Sequence, residues 1–362
     1  MSRFLSQRYQ ALKAYTPGEQ PSDLQYIKLN TNESPYPPAP GVVAAINVGE
    51  IEKFRLYPNP DGTRLIEKLA QFYDVNPENV IIGNGSDELL AFAFLAFCDK
   101  ERHICFPDIT YGFYPVYAEL YGIPYVQIPL KDDFSIDPAD YFGVNMNVVL
   151  ANPNAPTGIA LLPREIGAIA QSNPGYVTII DEAYVDFGAQ SSMHLAKEYD
   201  NLLIMHTYSK SRSMAGARLA YVIGPAPLIE DLNKMKFSFN PYNVNRLTQI
   251  AGEAALDEDA YYVEMRRKII ATREATIPRL RELGFTMTES NANFIFVKHS
   301  SLGGRELYAA LKERGILIRH WDKPRISEYT RITIGTPEQM DALMAAIADV
   351  LKKGNYSDNS AV

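Results

Sequence analysis

The feature that most constrains this chain is a series of short apolar, β-branched runs separated by stretches of helix-forming residues. In order the runs are NVIIGN, RHICF, YVQIP, NVVLAN, YVTIID, NLLIMHT and LAYVIG, all within residues 79–224. Segments such as SDELLAFAFLAFCDK and PREIGAIAQ lie between several of them. Strands alternating with helices predict βαβ units and a parallel sheet. Right-handed crossovers then cover both faces of that sheet. The expected class is α/β, with a large domain built on a mostly parallel seven-stranded sheet.

The rest of the chain reads differently. Residues 1–45 are rich in Pro and Asn (LNTNESPYPPAPG), which predicts an extended arm, because proline disfavours helix at its own position and before it. The segment KFSFNPYNVNR reads as a polar and aromatic loop, and a helical pattern runs from about Asn245 through Glu282. FIFVK, RELYAALKERG, ILIRH, TRITIG and PEQMDALMAAIADVLKK then suggest a small α+β domain. The expected division is an arm over 1–45, a large domain over 46–270 and a small domain over 271–362. The polar tail GNYSDNSAV is expected to fray.

Charge narrows the function classes. The 35 Lys+Arg against 43 Asp+Glu give a net charge of -8, without the basic face of a nucleic-acid protein. Local arginines can still make a positive pocket for a phosphorylated small molecule. The two cysteines, Cys98 and Cys105, sit in apolar runs without metal or redox spacing, as thiols in a reducing compartment do. The opening residues lack an apolar signal core, and no apolar stretch is long enough to span a bilayer. A cytoplasmic protein is the expectation.

Four motifs fall at expected strand ends, where open α/β sheets bind ligands. GNGSDE (Gly83 to Glu88) joins a strand to an apolar helix. Its glycines permit a tight turn, and the helix start offers free N–H groups to an anion. An ordinary capped helix would look the same. NPNAPTG (Asn152 to Gly158) is an irregular loop with Asn donors, or merely a rigid turn. DEAY (Asp181 to Tyr184) ends an apolar strand with a carboxylate, which is costly to bury without a partner such as a protonated ring nitrogen. It could equally cap the next helix. HTYSKSRSMAGARLAY puts Thr207 and Ser209 beside Lys210, with Arg218 after a small-residue turn. Hydroxyls and an arginine suit a phosphate group, and a lysine for imine chemistry needs burial or cationic neighbours. A solvated lysine is hard to square with the apolar flanks.

In this order the motifs resemble the fold-type I pyridoxal-phosphate aminotransferases of class I/II, across nearly the whole chain. Within that group the sequence is most similar to the histidinol-phosphate aminotransferases. The matching pieces are LKAYTPG, LNTNESPYPP, YPNPDG, GNGSDE, DITYGFY, DEAYVDF, YSKSRSMAGARLAY, PYNVN and RITIGT. The resemblance implies pyridoxal 5'-phosphate as cofactor, bound covalently to Lys210, which also moves a proton in catalysis. It implies that Asp181 pairs with the ring nitrogen, Tyr184 with the ring's phenolic oxygen, and Tyr111 stacks on the ring. Ser86 and Asp87, through their N–H groups, with Thr207, Ser209 and Arg218, would hold the cofactor phosphate. Tyr57 in YPNPDG would reach the cofactor of a partner subunit, implying a homodimer. Tyr15, Arg319 and Arg331 would hold the substrate. One position departs from the family: Ala155 stands where an Asn usually precedes Pro-Thr-Gly, leaving Asn154 or Asn152 as substitutes.

The implied activity is reversible amino transfer from histidinol phosphate to 2-oxoglutarate, in histidine biosynthesis. An aromatic-amino-acid aminotransferase and a threonine-phosphate decarboxylase would use the same framework. A pyridoxal-phosphate-binding regulator would need a DNA-binding segment, for which this chain offers neither a spare domain nor a basic face.

Overall fold

The computed structural model describes residues 3–21 and 25–354; the tail beyond, where fraying was expected, lies outside the described residues. In chain order the strands are β1 (Ile27–Lys28), β2 (Val80–Gly83), β3 (Ile104–Pro107), β4 (Tyr125–Ile128), β5 (Asn147–Ala151), β6 (Thr178–Asp181) and β7 (Leu202–Thr207). They continue with β8 (Ala220–Ile223), β9 (Phe285–Met287), β10 (Phe294–His299), β11 (Ile316–Leu317), β12 (Arg319–His320) and β13 (Thr330–Thr333).

The seven runs singled out in the sequence form one sheet in the order β2-β8-β7-β6-β5-β3-β4. All neighbours are parallel except β8, which is antiparallel to both β2 and β7. Apolar residues on both faces explain the nearly unbroken apolar runs. Successive side chains alternate between faces. Val148, Leu150, Ile180 and Ile204 pack with Leu65 and Leu69 of helix Thr63–Tyr73 and Ile166 and Ile169 of helix Pro163–Ser172. Val149, Ile179, Leu203 and Met205 pack on the other side, with Leu89 and Phe92 of helix Ser86–Phe97 and Ile229 of helix Ala226–Phe239.

The C-terminal strands form an antiparallel sheet, β12-β13-β10-β9, packed with helices Gly304–Glu313 and Pro337–Lys353 through Leu307, Leu311, Leu343 and Ile347. Helix Asp259–Glu282 precedes this sheet. Three expectations need correction. The arm is not wholly extended: Pro40–Ala45 is helical with proline at its first turn, and β1 pairs in parallel with β11. Lys236 to Phe239 extend a helix rather than a loop, and Pro241 follows just after its end. ILIRH is split between two sheets, β11 with β1 and β12 with β13.

Candidate active site

The carboxyl ends of β5, β6 and β7 and the start of helix Ser86–Phe97 surround a cavity of about 460 Å³. Its walls include Ser86, Asp87, Tyr111, Ala155, Asp181, Tyr184, Thr207, Ser209, Lys210 and Arg218. A second cavity of about 200 Å³ adjoins it and takes in Tyr15, Trp321, Lys323, Arg319 and Arg331. Thr31, Tyr111, Ala155, Tyr184 and Lys210 border both. The Lys210 side chain therefore stands where the two chambers meet.

Strand alternation explains which side chains reach the larger chamber. Asp181 is registered with Met205, and Thr207 lies two residues further on the same face. Thr207 and Ser209 face the cavity, joined by a 3.0 Å hydrogen bond from Thr207 Oγ1 to Ser209 Oγ. His206 and Tyr208 turn to the opposite face. His206 Nε2 lies 2.8 Å from Glu182 Oε2, and Tyr208 is fully buried beside Tyr221 and Arg212. The bulky Tyr208, unexplained by the motif, is thus a core residue of the far face.

Asp181 is 5% exposed. Its carboxylate accepts one backbone N–H, from Ala183 at 3.1 Å, and one long contact, from the Tyr114 hydroxyl at 3.5 Å. Burial pushes its pKa up to about 6, against the pull of the Ala183 N–H. A buried carboxylate so thinly partnered invites a cation or an acidic N–H from a ligand.

At the helix start, Gly85 has φ 83°, and a Cβ there would lie 2.3 Å from Arg218 Nη2. Glycine is needed both for the turn and for the guanidinium to pack against it. Arg218 bonds Asp87 Oδ2 at 2.9 Å, and Tyr111 donates to Asp87 Oδ1 at 2.6 Å. One carboxylate thereby orients the arginine and the aromatic ring, and leaves the first N–H groups of the helix open to an anion.

The arm supplies contacts that the sequence motifs did not assign. Lys210 Nζ donates to the Thr31 carbonyl at 3.2 Å, and Arg331 Nη2 to the Asn30 carbonyl at 2.9 Å. Asn32 Nδ2 donates to the Tyr184 hydroxyl at 2.9 Å, which leaves that hydroxyl's own hydrogen free for the cavity. Asn32 sits at φ 56°, a conformation Asn tolerates better than most residues. LNTNES was visible as a motif, but these contacts join residues about 150 to 300 apart in sequence, which no local pattern reveals.

In the smaller chamber Arg319 donates to the carbonyls of Thr16 and Pro17 at 3.1 and 3.2 Å. Burial, reinforced by the charge of Arg319, lowers the pKa of Arg331, and its buried Nε has no hydrogen-bond partner. Tyr15 stacks on Phe113 with centroids 4.1 Å apart, and desolvation raises its pKa. The chamber's carboxylate, Asp108, is paired with Arg325, so Arg319 and Arg331, beside a tyrosine, form a receptacle for an oxyanion.

Two expected residues stand elsewhere. Asn154 is buried, but its amide is consumed by the Ile109 carbonyl at 2.9 Å and Thr157 Oγ1 at 3.2 Å, while its oxygen accepts from Thr110 at 2.7 Å. Asn152 is likewise bonded to Leu161 in both directions. Ala155 is the residue of this loop that borders the cavity, so neither asparagine takes over the missing position. Tyr57 lies on the surface, 77% exposed, stacked on Tyr242 at 4.5 Å, outside both chambers.

Comparison with known proteins agrees with this geometry. The family model described as aminotransferase class I and II matches residues 25–347. A histidinol-phosphate aminotransferase of Brachyspira hyodysenteriae is 47% identical over 97% of this chain and 100% of its own length. One from a Marinomonas species is 49% identical over 96% of this chain and 99% of its own. Among solved structures, the histidinol-phosphate aminotransferase of Sinorhizobium meliloti in complex with pyridoxal-5'-phosphate superposes with a TM-score of 0.83 at 25% identity, covering 91% of this chain and 92% of that one. That of Clostridium acetobutylicum shares the fold, with a TM-score of 0.83 at 23% identity over 90% of this chain and 99% of its own.

Proposed function

Because the chain belongs to the class I and II aminotransferase family, we propose that it transfers an amino group reversibly between histidinol phosphate and 2-oxoglutarate, with pyridoxal 5'-phosphate as cofactor. The products are imidazole-acetol phosphate and glutamate, and the step belongs to histidine biosynthesis. The observation that carries the reading is Lys210 at the junction of two chambers, one with an under-partnered carboxylate, the other with two arginines free of carboxylates.

The larger chamber fits the cofactor. Asp181, buried and lacking a cation, would hold the ring nitrogen protonated. The free hydroxyl hydrogen of Tyr184 would meet the ring oxygen, and Tyr111 would lie on the ring face. Ser86 and Asp87, through backbone N–H groups, with Thr207, Ser209 and Arg218, would hold the phosphate. When bound, the cofactor supplies an electron sink for the bond that breaks at the amino-bearing carbon. Lys210 would hold the cofactor at rest, and its ε-amino group, once displaced by the substrate's amine, would take and return the proton at the reacting carbon. Arg319, Arg331 and Tyr15 bind the phosphate end of the amino donor, and Arg331 binds a carboxylate of the oxo acid. Tyr111 and Tyr184 line both chambers, and with substrate bound their rings would shield the proton transfer from water.

The reading includes a homodimer. Val43, Val48, Phe54 and Tyr57 are each more than 60% exposed, a patch that a second copy would cover, carrying Tyr57 to the partner's cofactor. It also includes a cytoplasmic location, in keeping with two unpaired, buried cysteines. No helix among the described residues is long and apolar enough to cross a membrane.

The test is a comparison of kcat/KM for histidinol phosphate, phenylalanine and threonine phosphate on the cofactor-loaded enzyme. Histidinol phosphate is expected to be best by at least an order of magnitude, about 1.4 kcal/mol of transition-state binding. Equal turnover of phenylalanine, or release of carbon dioxide from threonine phosphate, would remove the assignment.

A further inference from the structure

We infer that Trp321 is a positioning residue of the anion subsite, its indole holding the Arg319 and Arg331 guanidiniums ready for the phosphate of the amino donor. The inference rests on the substrate reading above and adds a residue to it. Arg319 and Arg331 are directly opposed in the register of β12 and β13. Like charges placed so repel one another. The hydrogen bonds of Arg319 go to the carbonyls of Thr16 and Pro17, and that of Arg331 to the carbonyl of Asn30. No carboxylate among the described residues forms an ion pair with either.

The indole of Trp321 lies where that repulsion must be met. The Arg319 guanidinium carbon stands 5.5 Å from the ring centroid and that of Arg331 5.4 Å. The negative face of an aromatic ring attracts a cation without accepting its N–H groups in the manner of a carboxylate. A carboxylate here would compete with the incoming phosphate for the same donors. The indole offsets the repulsion without occupying those donors, and both arginines line an adjoining chamber of about 200 Å³. The ring is therefore a neutral partner for the two cations that a substrate need not displace.

Trp321 is the single tryptophan of the chain, so its emission reports on this subsite alone. Inorganic phosphate titrated into the cofactor-loaded enzyme is expected to change that emission saturably. The midpoint should equal its inhibition constant against histidinol phosphate. Trp321→Leu should raise KM for histidinol phosphate and the phosphate inhibition constant together by about tenfold, with kcat within about twofold. Trp321→Phe, which keeps a ring, should recover most of that loss. Retention of the bound-cofactor absorbance band shows that the variants are folded. If phosphate inhibits but leaves the emission unmoved, and Trp321→Leu binds it as tightly as the parent, the role of Trp321 is overturned while the substrate reading stands. If phosphate does not inhibit and histidinol phosphate is not turned over, the substrate reading fails and this inference with it.

Discussion

Asp181 shows how one buried side chain links stability to chemistry. Its folded pKa, about 6, lies above the value near 4 of an unfolded aspartate, because burial disfavours the charge. Without cofactor, the folded state therefore binds more protons than the unfolded state between about pH 4 and pH 6, and stability falls as pH rises through that window. Asp181→Asn should make the cofactor-free protein more stable than the parent at pH 8, by on the order of 2 kcal/mol, with the difference vanishing near pH 4. Thermal unfolding at the two pH values checks this, and a pH-independent difference would refute it. The same substitution should abolish transamination, since the ring nitrogen loses its counter-charge. Tyr208 offers a simpler case. Its hydroxyl is buried without a partner, so Tyr208→Phe should leave stability unchanged or raise it by about 1 kcal/mol, measured by urea unfolding. Ala155 packs against Tyr184 and borders the cavity. Ala155→Asn should move the pH midpoint of the bound cofactor's absorbance, and an unchanged titration would remove this position from the site.

Whole elements were legible in proportion to their length and their apolar pattern. The seven strands of the large sheet stood out because each is a largely apolar run closed by polar residues, Gly or Pro, and all but the edge strand β4 are buried on both faces. Strand β1 was missed because it has only two residues, half-buried, and its partner lies far along the chain. The end of helix Ala226–Phe239 was missed because Phe237 and Phe239 are exposed and break the apolar stripe expected of a helix. The motifs pointed to Lys210, Asp181 and Arg218, which the fold brings to one cavity. They gave no role to Asn30, Thr31 and Asn32, which act through contacts with distant elements, or to Trp321, which acts through two arginines. The last helix, Pro337–Lys353, carries a reciprocal cap: Thr336 Oγ1 accepts from Gln339 N at 3.3 Å, and Gln339 Oε1 from Thr336 N at 2.9 Å. Thr336→Ala should lower stability by about 1 kcal/mol in a chemical denaturation, without changing KM.

At the scale of the molecule, a site shared between copies should make activity depend on concentration. Dilution below the dimer dissociation constant, or Tyr57→Ala at fixed concentration, should weaken retention of the cofactor, read as loss of its absorbance after gel filtration. A monomer that keeps its cofactor on dilution would argue against shared sites. The pairing of β1 with β11 bears on how the protein is made. Arg331 is held by a carbonyl 301 residues upstream of it, and Lys210 by one 179 residues upstream. A chain emerging from the ribosome can complete its large sheet while the anion subsite is still unsynthesised. Vitamin captured at that stage would already find the walls of the larger chamber, which come from residues up to Arg218, with the adjoining anion subsite still missing. Binding through Arg331 must therefore wait until that residue has been made and has met Asn30.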